Sequence, residues 1–233
     1  MDIEENVKRI KAELAEAAIA AGRRPEDVLL VAASKMNDAD RVRRAIAAGV
    51  DACGENRVQE MLQKQAQGAY AGVPLHFIGH LQRNKARQVV GLASLIHGVD
   101  SVELLREIDR CAERKALRQD VLLEINIAAE PSKSGFAPEE LGAALEEASR
   151  LPSIRVRGLM AIPPICASGD ENRPFFTKMK QLYVDNGGKK YDNVSMDFLS
   201  MGMSGDYLAA VACGANMVRI GSAIFGQRVY PTR

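Results

Sequence analysis

The chain has 233 residues, of which 47% are hydrophobic, and this is enough to form one large core. The 31 basic and 30 acidic residues leave a net charge of +1, so the charge balance favours neither nucleic acid nor a membrane surface as a partner. The apolar runs are too short to span a membrane, and the acidic N-terminus does not resemble a signal peptide. The four cysteines are scattered, and the three histidines form no metal-binding motif, so we predict a cytoplasmic protein with reduced thiols and without a metal site.

Short apolar runs alternate with amphipathic stretches along the whole chain. The first amphipathic stretch predicts a helix over Ile3–Ala21, which ends at Gly22. The apolar runs predict eight strands, at Val28–Ala33, Asp51–Cys53, Leu75–Ile78, Leu95–Gly98, Val121–Ile127, Ile154–Leu159, Phe198–Ser200 and Met217–Ile220. The stretches between them predict helices at Asp38–Ala48, Arg57–Gln67, from about Asn84, from Asp100 or Ser101 to about Leu117, from Pro138 to about Arg150, at Pro174–Tyr183 and at Asp206–Ala212.

Eight strands separated by helices predict the α/β class, as a single (β/α)8 TIM barrel domain over residues 1–233 with one extra N-terminal helix. The alternative is an open, doubly wound sheet. The strand count and the lack of a Gly-x-Gly-x-x-Gly motif after the first strand favour the barrel.

Lys35 follows the first predicted strand directly, in the segment Ala33-Ser34-Lys35. In a barrel, this is the mouth where functional groups gather. A lysine amine placed there can lose solvation, drop its pKa and form a Schiff base with an aldehyde. The alternative is an ordinary solvated lysine at the end of a strand.

Glycine and serine residues follow the last two predicted strands, as Gly202 and Ser204 and as Gly221-Ser222. The loops after strands seven and eight of a barrel commonly bind phosphate, because glycine lets backbone N–H groups approach an anion. Either loop alone could serve only as a turn, but both together favour phosphate.

Arg219 lies inside the last strand and is costly to bury unless it is paired. Since that strand closes against the first one, we expect Arg219 near Lys35, an arrangement that suits a flat phosphorylated aldehyde.

These motifs resemble the pyridoxal phosphate homeostasis proteins, which are single-barrel relatives of the alanine racemase N-terminal domain. The resemblance covers the chain from about Val7 to Arg228. It is carried by Ala33-Ser34-Lys35, Gly54 to Glu60, His76 to Gly79, Leu81-Gln82, Asn84-Lys85, Asn126, Ser132 to Gly135, Arg157 to Met160, Leu199 to Ser204 and Val218 to Gly226. The chain departs from the family at Met36, where many members have threonine.

The resemblance implies a fold-type III barrel whose cofactor is pyridoxal 5'-phosphate, held by Lys35 as a Schiff base. It implies that Arg219 faces the pyridine nitrogen and leaves it unprotonated, which weakens the ring as an electron sink. The remaining residues that it assigns to the cofactor are Asn56 beside the ring, Ser204, Gly221 and Ser222 at the phosphate, and Ser200 and Met203 nearby.

The family's role is to bind pyridoxal phosphate, to keep its free level low and so to protect amino acid and keto acid metabolism. The resemblance therefore predicts a carrier, with apo-enzymes that use pyridoxal phosphate as candidate recipients. We expect a monomer, because no domain is left through which the chain could dimerise. A racemase of this type needs a second base, which a tyrosine of a partner's C-terminal β domain supplies. This sequence ends a few residues after the last predicted strand, and none of its five tyrosines has a clear role at a strand mouth. Two alternatives stay open, a pyridoxal phosphate-dependent amino acid racemase and a phosphate-binding barrel enzyme without this cofactor.

Charged residues around the predicted mouth have simpler interpretations. Glu55 and Glu60 can pair with Arg57 or Lys64 on a helix and carry no further function. Lys133, like Lys85, is expected to be a surface lysine, with an anion-binding rim as the alternative.

Overall fold

Eight parallel strands form a closed barrel, in the order in which they occur along the chain. This computed structural model describes residues 2–166, 168–188 and 191–226. The strands are β1 (Leu29–Ala33), β2 (Ala52–Glu55), β3 (Leu75–Phe77), β4 (Leu95–Val99), β5 (Gln119–Glu124), β6 (Ile154–Met160), β7 (Val194–Ser200) and β8 (Met217–Ile220). The predicted (β/α)8 barrel is therefore confirmed, and the open sheet is excluded.

Helices cover the outside of the barrel. Within the described residues, the α-helices are α1 (Ile3–Ala20), α2 (Ala39–Ala47), α3 (Val58–Ala66), α4 (Ala86–Val89), α5 (Val102–Arg114), α6 (Leu141–Ser149), α7 (Arg173–Gly187), α8 (Tyr207–Ala212) and α9 (Ser222–Phe225). The extra N-terminal helix α1 packs against α2, α8 and α9. Across the part of the chain that the structure describes, no helix is long and apolar enough to cross a membrane.

Two strand boundaries differ clearly from the sequence prediction. β7 begins at Val194, four residues before the predicted Phe198, because side chains in its first half are alternately exposed and half-buried and give only a weak apolar signal. β5 ends at Glu124 rather than Ile127, because the chain leaves the barrel there and Ile125 bridges to Phe136 instead.

Closure of the barrel brings the first and last strands together. Val31 of β1 pairs with Arg219 of β8, and Ala33 of β1 pairs with Gly54 of β2. Lys35 lies two residues beyond Ala33, so the closed register places it at the mouth between the ends of β2 and β8.

Side chains that point into the barrel form a small apolar layer, separate from the larger core between the strands and the helices. This inner layer consists of Val31, Ala33, Ala52, Ile78, Leu95, Leu122, Met160 and Met217. Close approach of β6 and β7 depends on Gly158, which has φ +138°, and a Cβ atom there would lie 1.9 Å from the carbonyl oxygen of Phe198. No L side chain fits this position without moving a strand.

Candidate functional site

A cavity of about 250 Å³ opens at the barrel mouth, between the end of β1 and the start of α9. It is lined by Ala33, Lys35, Met36, Asn37, Asp38, Arg41, Gly221, Ser222, Phe225 and Gly226. Three residues singled out from the sequence, Lys35, Gly221 and Ser222, therefore share one cavity. Sequence reasoning missed Arg41, which is held there by hydrogen bonds to Phe225 O and to Asn37 Oδ1, the latter at 2.9 Å.

Lys35 lies in a tight turn that follows β1. The backbone N–H of Asn37 donates to Ser34 O at 3.1 Å and closes the turn, and Met36 has φ 62°. A positive φ at the third residue of such a turn is usually provided by glycine or asparagine. The turn ends the strand and directs the chain into α2, whose N-cap Asp38 accepts a hydrogen bond from Arg41 N.

The loops after β7 and β8 bind each other directly. Ser204 Oγ accepts hydrogen bonds from the backbone N–H groups of Gly221 and Ala223, each at 3.3 Å. The Gly221 N–H predicted to face an anion is thus held by the Ser204 hydroxyl oxygen. A Cβ atom at Gly221 would lie 3.3 Å from Ala33 O, so glycine lets this loop approach β1 closely. Met203, also singled out from the sequence, is half-buried and donates its N–H to Asp206 Oδ1 at 2.6 Å.

Arg219 is almost fully buried, with 4% of its surface exposed. Its Nη1 donates to Ser200 Oγ at 2.6 Å, and its Nη2 donates to Ala161 O at 3.0 Å. Burial lowers the pKa of Arg219 to about 10, against the opposing effect of Glu124 and Asp206, so the guanidinium is charged at neutral pH. Ser200 is fully buried. It therefore lies inside the barrel as a partner of Arg219.

Two buried histidines extend this contact into the barrel, and sequence reasoning missed them. His97 Nδ1 lies 3.1 Å from Ser200 Oγ, and His97 Nε2 lies 3.1 Å from His76 Nδ1. Burial lowers the pKa of His76 to about 4 and that of His97 well below its usual range, so both rings are neutral at pH 7. A chain of hydrogen-bonding side chains thus runs from Arg219 towards the other end of the barrel.

Asn56 follows β2 at the mouth. Its Oδ1 atom is buried and has no hydrogen-bond partner among the described residues. A buried amide oxygen without a partner is costly, and it is an acceptor that a bound molecule can satisfy.

Glu55 lies at the end of β2 and is fully buried, whereas the sequence suggested a pair on a helix. Its Oε1 accepts from Ser34 Oγ at 2.6 Å, from Lys64 Nζ at 2.7 Å and from Tyr70 OH at 2.9 Å. Lys64 is also paired with Glu60 at 2.8 Å. The suggested partner, Lys64, was right for both carboxylates, but for Glu55 the contact joins the end of β2 to α3 rather than two residues of one helix.

Lys133 is not the solvated surface lysine that the sequence suggested. Its amine pairs with Glu130 at 2.6 Å and donates to the carbonyl oxygen of Pro163 at 3.2 Å, so it ties the loop after β5 to the loop after β6.

Across the described ranges, no group of three or more His, Cys, Asp or Glu side chains is placed to hold a metal ion.

The fold and the mouth together define a barrel of the alanine racemase type. Residues 2–229 match the family described as alanine racemase, N-terminal domain. An alanine racemase of Clostridium difficile superposes with a TM-score of 0.69 at 18% identity, covering 98% of this chain and 58% of that one, which supports the fold alone.

Curated relatives identify the family more narrowly. The pyridoxal phosphate homeostasis protein of Pseudomonas aeruginosa is 42% identical, over 98% of this chain and 96% of the relative. The protein of the same name from Escherichia coli K12 is 40% identical, over 98% of each chain. The structure of Synechococcus elongatus PipY with PLP bound is 35% identical with a TM-score of 0.78, covering 91% of this chain and all of that one. The chain therefore belongs to the pyridoxal phosphate homeostasis proteins within the alanine racemase N-terminal domain family.

Proposed function

We propose that this protein binds pyridoxal 5'-phosphate at the barrel mouth and buffers its free concentration. The observation that carries the proposal is the shared cavity, which Lys35, Gly221 and Ser222 line together. Membership of a family whose curated members are named pyridoxal phosphate homeostasis proteins supports the same role.

The residues at the mouth fit this cofactor in chemical type. Lys35 supplies a primary amine, the group that reacts with an aldehyde, and glycine brings a backbone loop within reach of a phosphate group. Arg219 supplies a buried cation, and Asn56 Oδ1 supplies a buried acceptor without a partner. When bound, the cofactor supplies an electrophilic aldehyde carbon and an aromatic ring that can accept electrons.

Each residue then has a distinct task. Lys35 would hold the cofactor through its amine, and Gly221 and Ser222 would hold the phosphate group. Ser204 orders the phosphate loop through its two backbone contacts, with Met203 beside it.

Two further residues would act near the ring. Arg219, which is held by Ser200, would place its charge at the pyridine nitrogen. Asn56 would lie beside the ring, with its Oδ1 atom as an acceptor.

The proposed role is that of a carrier, not a racemase. Racemisation requires a second base on the other face of the ring. Three of the described tyrosines use their hydroxyl groups elsewhere: Tyr207 donates to Glu13, Tyr70 to Glu55 and Tyr183 to the carbonyl of Met196. Tyr230 lies outside the described residues. The names of the curated relatives, which are homeostasis proteins, agree with a carrier.

Three finer points remain part of the proposal. The four cysteines are free thiols, which suits a cytoplasmic location. The protein acts as a monomer, and apo-enzymes that require pyridoxal phosphate receive the cofactor from it.

The test is to load the purified protein with pyridoxal phosphate, remove the excess and record the visible absorption. Borohydride should then fix the cofactor to Lys35, as peptide mapping by mass spectrometry will show. The Lys35→Ala variant should lose both the absorption band and the fixed adduct, whereas Lys178→Ala, at an exposed lysine of α7, should keep them. A colourless wild-type protein would contradict the proposal and favour a phosphate-binding barrel without this cofactor. A main adduct on another lysine would contradict the assignment of Lys35.

A further inference from the structure

Two side chains of α3 hold the peptide groups on either side of Lys35. Lys64 Nζ donates to the carbonyl oxygen of Ser34 at 2.7 Å, so it binds the peptide group that precedes Lys35. The carboxylate of Glu60 accepts from the backbone N–H of Met36, so it binds the peptide group that follows. Lys64 and Glu60 lie four residues apart on the same helix and pair with each other at 2.8 Å.

The turn that Lys64 and Glu60 hold has a backbone conformation that is unfavourable for the methionine at position 36. Met36 has φ 62°, a left-handed conformation in which a Cβ atom crowds the backbone. The methionine side chain is half exposed, so packing of that side chain does little to stabilise this conformation. The Met36 N–H bond to Glu60 is therefore a direct constraint on the strained residue next to Lys35.

The pair is also buried, unlike most ion pairs of this protein. The Lys64 side chain is 6% exposed and that of Glu60 18%. Glu55, which is fully buried, accepts from Lys64 at 2.7 Å and from Ser34 Oγ at 2.6 Å, and so adds a second contact to the residue before Lys35. Burying charged groups in this way is expensive and is weak evidence for a stabilising role. Burying Glu55, Glu60 and Lys64 together is consistent with a role in fixing the backbone on either side of Lys35.

We propose that Glu60 and Lys64 are positioning residues for Lys35. In this role they act on the backbone: they fix the two flanking peptide groups, so that the Cα–Cβ bond of Lys35 points into the cavity. The expected effect on cofactor affinity rests on the proposed function, whereas the effect on the backbone does not.

The first measurement is made without cofactor. The rate of amide hydrogen exchange at Met36 is compared between the wild type and two variants, Glu60→Ala and Glu107→Ala. Glu107→Ala is the control, because it removes a comparable helical carboxylate on α5 that pairs with Arg110 at 2.6 Å. We expect exchange at Met36 to rise at least about tenfold in Glu60→Ala, since the N–H loses its acceptor, and to stay unchanged in Glu107→Ala. Unchanged exchange in Glu60→Ala would overturn the proposal, whether or not the protein binds pyridoxal phosphate.

The second measurement is a rescue. Glu60→Ala should weaken cofactor binding by about tenfold, because the left-handed residue is no longer held. Adding Met36→Gly should recover most of that loss, since glycine adopts a positive φ without the clash. General destabilisation of α3 would not be repaired by a substitution in the turn, so a double variant that binds as weakly as Glu60→Ala would overturn the proposal. Glu60→Gln, which keeps an acceptor oxygen, is the conservative variant and should lose less affinity than Glu60→Ala.

Discussion

The Nη1 atom of Arg219 donates to Ser200 Oγ at 2.6 Å, and this contact ties the buried cation at the mouth to the middle of the barrel. Since a guanidinium can only donate, Ser200 accepts from it, and the Ser200 hydroxyl can donate a hydrogen bond to His97 Nδ1. In the His97 tautomer that accepts this bond, Nε2 is the donor to His76 Nδ1. In that tautomer each group donates in the same direction, an arrangement in which hydrogen bonds strengthen one another.

Removing the hydroxyl at this junction should affect both ends of the chain. Ser200→Ala leaves Arg219 Nη1 and His97 Nδ1 without a buried partner, so we expect a loss of about 1–3 kcal/mol in the free energy of unfolding. Cofactor affinity should fall as well, because the guanidinium is no longer held in place. Urea denaturation and a cofactor titration measure the two effects. Ser195→Ala, on the exposed part of the same strand, should change neither; equal effects of the two variants would contradict the assigned role of Ser200.

His76 should make the protein sensitive to acid. Burial lowers its pKa in the folded state to about 4, from an ordinary value of 6.5, so below pH 6.5 the unfolded chain binds more protons than the folded one. Stability from this group is complete above pH 6.5 and falls as the pH drops towards 4, by about 3 kcal/mol. Urea denaturation at several pH values should show that His76→Gln has a shallower decline across this window. Parallel curves for the wild type and the variant would show that His76 does not contribute.

Phosphate should supply much of the affinity for the cofactor. Ser204 Oγ orders the Gly221 loop, and Ser222 lines the cavity, so the double variant Ser204→Ala, Ser222→Ala should lose on the order of 1–3 kcal/mol of binding free energy. Pyridoxal without its phosphate should bind far more weakly than pyridoxal phosphate. Fluorescence or absorbance titration measures each value, with Ser149→Ala at the end of helix α6 as the control. Equal affinity for the two ligands would remove the phosphate site from the proposal.

Racemisation of alanine should be no more than a trace. Arg219 keeps a positive charge in the barrel, and the Tyr207 hydroxyl is bound to Glu13 on α1. The saturated wild-type protein can be assayed for D-alanine beside an authentic alanine racemase. Turnover in the ordinary enzyme range of about 1–10³ per second would show that the protein is an enzyme.

Gly158 should tolerate no side chain. A Cβ atom there would meet the Phe198 carbonyl oxygen at 1.9 Å, and its φ of +138° is strained for any other residue. We expect Gly158→Ala to cost at least about 3 kcal/mol, since strands β6 and β7 must separate. Gly188→Ala, where no atom lies within 4 Å of the added Cβ, is the matched control in thermal denaturation. Similar melting temperatures for both variants would show that the barrel relaxes more easily than the backbone contacts suggest.

Local patterns in the sequence were enough to predict the barrel and to place Lys35, Gly221 and Ser222 at its mouth, where they line one cavity. Strand β1 is an unbroken apolar run, and Gly221 and Ser222 directly follow a run that is apolar except for Arg219, so the ends of these elements could be predicted from neighbouring residues alone. The start of β7 could not be, because its first residues alternate between exposed and half-buried positions.

The polar contacts inside the protein were not predictable in the same way. His97 meets His76 across 21 residues and Ser200 across 103, and no short pattern records such pairings. Lys64 was suggested as a partner of Glu55 on a helix. Only the fold shows that Glu55 ends β2, where its carboxylate binds Lys64 of α3 and Ser34 as well.

The pairing of Val31 with Arg219 has a consequence for biosynthesis. The amine at Lys35 is translated early, but the cation and the glycine loop opposite it belong to the last strand and its exit. A growing chain on the ribosome therefore has no complete pocket until β8 has emerged and joined β1. Capture of the cofactor then reports that the barrel has closed, and a chain truncated before Met217 should retain none.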